Sequence, residues 1–156
     1  MNNNENAEPH NSSHLQNSEQ NDIAEPLSYD VNQVITQQQA YNEALVQLLV
    51  LLYQIDGKVT LTEQDYFDAT VEKLNWRSGI ALTAFINNAI HEARVAIDTQ
   101  QTRELLFSLG AALSYDPAQA LEAAMDITEV DGNRSDEELE LLALLSNRVL
   151  ARGLVA

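Results

Sequence analysis

The feature that most constrains the fold is a helical spacing of apolar residues that continues from about Val31 to the C-terminus. The segment ALVQLLVLLYQI starts at Ala44 and carries leucines at the spacing of one helix face. These are Leu45, Leu48, Leu49 and Leu52. Further aliphatic residues on the other faces predict that this helix is the central buried one. No stretch of the sequence alternates convincingly between apolar and polar residues, as a half-buried strand would.

Five more helices are predicted after the central one. The second is expected to bury Phe67 and Val71 and to present Glu63 and Asp65 on its other face. The fifth begins at Asp116, an N-cap residue that is followed by proline at the first helical position. The inward stripes of the last four are Leu82, Phe85, Ile86, Ala89, Ile90, Ala93 and Ile97; Leu105, Leu109, Ala112 and Leu113; Leu121, Ala124, Met125 and Thr128; and Leu139, Leu142, Leu145 and Val149. An all-α fold, a compact helical bundle, follows.

Composition changes near residue 30. Residues 1–30 are dominated by Asn, Gln, Ser, Glu and Pro, with few large apolar side chains. Such a segment cannot bury enough surface to offset its ordering entropy, which predicts a disordered polar tail. His10 and His14 lie four positions apart in it, and we interpret them as incidental. The folded domain is therefore predicted to cover residues 31–156.

Charge and cysteine content narrow the possible functions. The chain has a net charge of −16, a pI near 4.2 and no cysteine. A surface of this kind repels phosphate backbones and anionic lipids, so nucleic acid is not an expected partner. A cation or a basic protein is favoured, and a homo-oligomer stays open. No apolar run is long enough for a membrane span, and the N-terminal sequence does not resemble a signal peptide, so a cytoplasmic protein is expected.

The chain repeats a short acidic motif. Asp56-Gly57 is followed by Glu63, and Asp131-Gly132 is followed by Glu138. In each copy an apolar helix ends at Asp-Gly and a second helix begins after a short turn. The repeat predicts two related helix–turn–helix halves, and packing about a pseudo-two-fold axis would bring the two acidic turns near one another.

A turn without any ligand explains most of this motif. Each glycine can end a helix in the left-handed conformation. Thr60 with Glu63, and Ser135 with Glu138, fit the capping box, in which the glutamate reaches back to the N-cap amide. This interpretation leaves only the aspartates without a role.

A bound cation is the alternative interpretation. Asp56 and Asp131 stand at helix C-termini, where an anion is disfavoured by roughly 0.3–1 kcal/mol. Asp-Gly-x5-Glu also matches the second half of a calcium-binding EF-hand loop, although Leu52 and Ile127 would occupy its first position and cannot coordinate. We therefore reject an ordinary EF-hand pair. The candidate metal ligands are Asp56, Glu63, Asp131, Glu138 and Glu129. Oxygen donors of this kind favour calcium, magnesium or manganese.

The motifs DGKVTLTE and DGNRSDEE, each after an apolar helix, resemble the tellurite-resistance TerB-like family, whose module also occurs in the co-chaperone DjlA. The resemblance covers about residues 31–152. It implies a bundle of two related halves and an acidic site for a divalent cation, built from Asp56 and Glu63 with Asp131 and Glu138. The chain lacks the His-Pro-Asp tripeptide of a J-domain. Its first copy also has Thr62 where the second has Glu137 and is less acidic.

Other chemistry finds little support in the sequence. His91 is the one histidine inside the predicted domain, and we interpret it as a surface or boundary residue. Trp76 is interpreted as a packing residue. We expect a non-enzymatic module that binds a divalent cation in a stress or tellurite response. The alternatives are a metal-free helical adaptor for a basic protein and, less favoured, a metal-assisted hydrolase.

Overall fold

The computed structural model describes the backbone of residues 9–151 and the side chains of residues 31–151, and this part of the chain contains helices and no strand. The helices are α1 (Pro9–Gln54), α2 (Leu61–Glu72), α3 (Leu82–Asp98), α4 (Thr102–Ser108), α5 (Gly110–Leu113), α6 (Pro117–Glu129) and α7 (Asp136–Leu144). A π-helical turn, Leu145–Val149, continues α7. The prediction of an all-α fold is confirmed.

Helix α1 begins at Pro9, whereas the sequence predicts helices only from residue 31. The composition of residues 9–30 does not explain this helix, because Asn, Ser and an interior proline, Pro26, all disfavour helical backbone. The side chains of residues 1–30 lie outside the described residues, and the disorder of this tail stays a prediction. The chain divides into two units, residues 1–36 and residues 37–156.

The C-terminal half of α1 is the centre of the second unit. Its side chains from Ala44 to Tyr53 are almost all buried, which confirms the predicted central helix. The ring of Tyr53 packs edge-on against Phe67 of α2, with ring centroids 5.3 Å apart. Gln47 Nε2 donates to Glu92 Oε1 of α3 at 3.2 Å. Helices α2 and α3 therefore both pack against α1.

The predicted fourth helix is divided in two. Helix α4 ends at Ser108, and α5 starts at Gly110. A Cβ atom at Gly110 would lie 3.2 Å from Cγ1 of Val149, so glycine permits the close approach of the C-terminal segment. The N-cap prediction at Asp116 is confirmed, because its Oδ1 accepts a hydrogen bond from Gln119 N at 3.2 Å.

Two predicted inward residues are exposed instead. Met125 is 44% exposed and Leu139 is 48% exposed, while Ile127 and Leu141 are buried. In α7 the difference is confined to the start of the helix, where Glu138 and Leu141 face inward instead of Leu139, while Leu145 is buried and Leu142 packs against the core as predicted. The π-helical turn then changes the register, with Leu150 N donating to Leu145 O at 2.8 Å.

The two halves meet where α2 packs against α6. Tyr66 Oη donates to Asp126 Oδ2 at 3.3 Å across this contact. The arrangement agrees with the prediction of two related helix–turn–helix halves, α1 with α2 and α6 with α7. Within the described part of the chain, no helix has both the length and the apolar character that crossing a membrane requires.

Candidate functional site

The two Asp-Gly turns have the same backbone conformation. Gly57 has a φ of 77° and Gly132 a φ of 87°, both in the left-handed region that favours glycine. Gly57 N donates to Gln54 O at 3.1 Å, and Gly132 N donates to Glu129 O at 2.9 Å. The predicted role of these glycines at helix ends is confirmed.

Both predicted capping boxes are present. Glu63 N donates to Thr60 Oγ1 at 3.2 Å, and Thr60 N donates to Glu63 Oε1 at 3.1 Å. In the second turn, Glu138 N donates to Ser135 Oγ at 3.1 Å, and Ser135 N donates to Glu138 Oε1 at 2.8 Å. Each glutamate therefore uses one carboxylate oxygen to start its helix.

Burial sets these two glutamates apart from ordinary capping residues. Glu63 is 2% exposed and Glu138 is 1% exposed. Each stands at the start of the buried face of its helix, Glu63 one turn before Phe67 and Glu138 one turn before Leu141. The expectation that Glu63 belongs to the solvent-facing side of α2 is wrong. The signal in the sequence was a glutamate in register with the apolar stripe.

Charges from both turns affect the pKa values of the two glutamates. Burial raises the pKa of Glu63, and the charges of Asp131 and Asp56 raise it further, against the opposing hydrogen bonds from Thr60. Burial also raises the pKa of Glu138, opposed by the Ser135 amide and reinforced by the charges of Asp56 and Glu63. Carboxylates from both turns therefore act on each other's ionisation.

Each aspartate holds its own turn. Asp56 Oδ1 accepts a hydrogen bond from Lys58 N at 3.0 Å, and Asp131 Oδ1 accepts one from Asn133 N at 3.2 Å. These bonds between a side chain and the amide two positions later are Asx turns. The aspartates thus have a local structural role that the sequence interpretation did not assign.

One carboxylate oxygen stands out among the described side chains. Oε2 of Glu138 is buried and has no hydrogen-bond partner. A buried polar atom without a partner costs about 1–3 kcal/mol, and more when it is charged. The neighbouring charges on this carboxylate are those of Asp56 and Glu63, which are also acidic. This position suits a cation or a proton.

Glu129, the fifth predicted ligand, has a different partner. Its side chain is 67% exposed, and its Oε1 lies 3.1 Å from a guanidinium nitrogen of Arg134. Arg134 also donates from Nε to Thr128 Oγ1 at 3.0 Å and from its terminal nitrogen to Met125 O at 2.9 Å. The sequence interpretation missed this arginine. Its signal is a basic residue just after a helix end, where it can bind the last carbonyl groups.

The geometry of the site is not that of ready-made metal ligands. Among the residues with described side chains, no three His, Cys, Asp or Glu side chains are grouped as a metal site. The donor chemistry fits a hard divalent cation, because it consists of carboxylate oxygens and includes a buried oxygen without a partner. A cation would have to draw the four carboxylates closer together.

The remaining candidates are placed elsewhere. His91 is exposed, as expected. The ring of Trp76 packs against Phe85 at 5.1 Å, and its Nε1 donates to Ile80 O at 2.9 Å, which confirms a packing role. His10 and His14 lie outside the residues whose side chains are described.

No protein-family model, curated protein or solved structure matches this chain. The resemblance to the TerB-like proteins therefore rests on the two motifs alone.

Proposed function

We propose that the protein binds a divalent cation between its two acidic turns. The ligands would be the carboxylates of Glu63 and Glu138, with Asp56 and Asp131 supplying further oxygens. The observation that carries the proposal is the burial of two glutamates from different turns within reach of each other's charge. We leave Glu129 out of the set because its carboxylate pairs with Arg134.

A capping role alone does not require this burial. The capping box uses one oxygen of each glutamate, and that bond can be made at the protein surface. Burial leaves Glu138 Oε2 without a donor and brings like charges together, and both effects destabilise the folded state. A divalent cation would offset both costs, since it supplies positive charge and accepts lone pairs from the orphaned oxygen.

The nature of the donors favours calcium, magnesium or manganese. Carboxylate oxygens are hard ligands, and the chain has no cysteine to favour a softer metal. In this proposal the cation ties the start of α2 to the start of α7 and takes no part in a reaction. The resemblance to TerB-like proteins would place such a non-enzymatic module in a cytoplasmic stress or tellurite response.

Thermal unfolding with and without cation tests the proposal. At a hundredfold excess of cation over Kd, a ligand that binds only the folded state adds about 2.7 kcal/mol to the free energy of unfolding. We expect one of calcium, magnesium and manganese to raise the melting temperature of the wild type relative to EDTA. We expect Glu138→Gln and Glu63→Gln to lose most of that increase.

Glu137→Gln is the matched control. Glu137 is the exposed neighbour of Glu138, and its substitution changes the net charge by the same amount. It should keep the full response to the cation. The proposal is overturned if no cation raises the melting temperature more than a monovalent salt of matched ionic strength. It is also overturned if the control loses as much of the response as Glu138→Gln.

The metal-free adaptor remains the second candidate function. Its supporting observation is the net charge of −16, which favours a basic protein partner. Failure of the cation experiment would leave this candidate as the better explanation of the acidic surface.

A further inference from the structure

A groove runs along the contact between α2 and α6, away from the capping glutamates. Its volume is about 460 Å³. Apolar side chains form its floor, namely Leu45 and Ala123, which are buried, and Leu74, which is half-buried. Ala69, an exposed small residue of α2, leaves its rim low. The groove can therefore accept aliphatic side chains from outside.

The wall of the groove on the α6 side is acidic. Glu122 and Asp126 both line it, and they lie one helical turn apart on the same face of α6. Burial raises the pKa of Tyr66, a hydrogen bond with Thr70 opposes this, and the charges of Asp126 and Glu122 raise the pKa further. Lys73, near the end of α2, is the one basic residue among those that line it.

Hydrogen bonds hold the walls in place. Tyr66 Oη of α2 donates to Asp126 Oδ2 of α6 at 3.3 Å. Tyr41 Oη of α1 donates to Gln119 Oε1 of α6 at 2.8 Å. A groove whose walls are already tied together needs little rearrangement on binding, which reduces the entropic cost of association.

We propose that this groove binds a basic amphipathic helix of a partner protein. A helix laid along the groove would place its apolar face on the Leu45, Leu74 and Ala123 floor. Its lysine or arginine side chains would then face Glu122 and Asp126. Charge complementarity selects this occupant, because an acidic helix would be repelled by the wall and by the net charge of −16. The site is separate from the four carboxylates of the proposed cation site.

A labelled synthetic peptide serves as the probe. It is a helix of about 18 residues, or five turns, with leucine along one face and lysine along the edges of that face, where the lysines can reach Glu122 and Asp126. Fluorescence anisotropy measures its affinity in EDTA, so that the result does not depend on a bound divalent cation. About 0.15 M NaCl screens attraction between distant charges. A second peptide carries glutamine in place of each lysine. The lysine peptide is expected to bind, and the glutamine peptide to bind at least about tenfold more weakly.

Charge reversal separates a groove from general attraction to an acidic protein. Glu122→Lys with Asp126→Lys should weaken lysine-peptide binding by about tenfold or more. The matched control is Glu104→Lys with Glu140→Lys, which makes the same change in net charge on the exposed faces of α4 and α7. We expect the control to change the affinity by less than about threefold, as screened distant charges do.

A third variant tests the rim of the groove. Ala69→Trp fills the rim without changing charge, and it should weaken peptide binding although Ala69 is exposed and the fold should tolerate it. Circular dichroism and a melting curve check that each variant is folded. Equal losses in the groove pair and the control pair would overturn the proposal, as would unchanged binding in folded Ala69→Trp.

Discussion

The two Asp-Gly turns share one local design and differ in how the preceding helix ends. Both have a glycine of positive φ, an Asx turn and a capping box with a buried glutamate. Three residues after the aspartate, however, the first turn has Val59 and the second has Arg134. The residues that the two turns share, namely the aspartate, the glycine and the capping pair, all stabilise the local backbone conformation. The residue that differs, Val59 or Arg134, determines whether a positive charge lies beside the carboxylates of the turn.

Arg134 gives the second turn an anchor that the first turn lacks. Its guanidinium binds the Met125 carbonyl near the end of α6 and the Thr128 hydroxyl, and it pairs with Glu129. Val59 is 44% exposed and supplies no polar contact of this kind. The second turn thus combines more carboxylates with the positive charge of Arg134, so the two turns do not contribute equally to the negative charge around Glu63 and Glu138.

Removal of the anchor should produce the largest difference between the turns. Arg134→Ala should lower the free energy of unfolding by about 2 kcal/mol, since hydrogen bonds to a charged group contribute roughly 1.5–3 kcal/mol. Val59→Ala at the matched position should change it by less than about 0.5 kcal/mol. Urea unfolding in EDTA measures both. Similar small values for the two variants would mean that the arginine contacts do not stabilise the end of α6.

The glycines should show no difference between the turns. Gly57→Ala and Gly132→Ala should each cost roughly 1–2 kcal/mol, because a side chain disfavours the left-handed conformation. A Cβ atom at either position would meet no atom within 4 Å, so backbone strain is the one expected cost. Gly→Asn should cost less at both positions, since Asn tolerates this region. Unequal costs in the same urea experiment would show that one turn is held more rigidly than the other.

The buried glutamates should give the folded protein a characteristic pH dependence in EDTA. Burial raises their folded-state pKa values above the ordinary value of 4.5. The folded state therefore holds protons more tightly, and this contribution to stability is complete below the ordinary value. It is lost as the pH rises through the raised values. Glu138→Gln should consequently raise the free energy of unfolding at pH 7 by about 1 kcal/mol, because it removes a buried charge.

The control for this pH dependence is again Glu137→Gln, whose carboxylate is exposed. Urea unfolding from pH 4 to pH 8 should give the control the same decline with rising pH as the wild type, while Glu138→Gln with Glu63→Gln should reduce it. A decline of unchanged size in the double variant would show that other groups cause it.

The sequence predicted the elements that depend on local signals. The central helix followed from its leucine spacing, the start of α6 from Asp116-Pro117, and both capping boxes from Ser/Thr-x-x-Glu. It failed where a tertiary contact decides. The break between α4 and α5 at Gly110 was not predicted, and neither was the close approach of Val149 to that glycine, which is a contact between distant parts of the chain.

The candidate site was predicted in part for the same reason. The motif named four carboxylates whose charges act on one another in the structure. It also placed Glu63 on a solvent-facing side, because a charged residue in an amphipathic helix is assumed to face water. Arg134 was overlooked because its role comes from hydrogen bonds to the Met125 carbonyl and the Thr128 hydroxyl of α6, which the sequence does not show.

The smallest expected effect ranks the two aspartates. In EDTA, Asp56→Asn and Asp131→Asn should each stabilise the fold by a few tenths of a kcal/mol, because each removes an anion near a helix C-terminus. Asn can still accept the hydrogen bond of the Asx turn through its own Oδ1. If only the number of neighbouring carboxylates mattered, Asp131→Asn would stabilise the fold more than Asp56→Asn. We expect the larger stabilisation from Asp56→Asn, because the charge of Asp56 acts on both Glu63 and Glu138. In the second turn, Arg134 already offsets part of the negative charge by pairing with Glu129.

A saturating cation should reverse the sign of both substitutions. The wild type would gain the binding free energy, and each Asn variant would gain less of it because one ligand has lost its charge. Melting curves in EDTA and in each of calcium, magnesium and manganese measure this directly, with Asp136→Asn, an exposed carboxylate of the first turn of α7, as the control. Suppose that either Asn variant loses more than about 1 kcal/mol in EDTA. The aspartate would then be a structural hydrogen-bond acceptor that Asn cannot replace, and the turns would be explained by their backbone contacts alone.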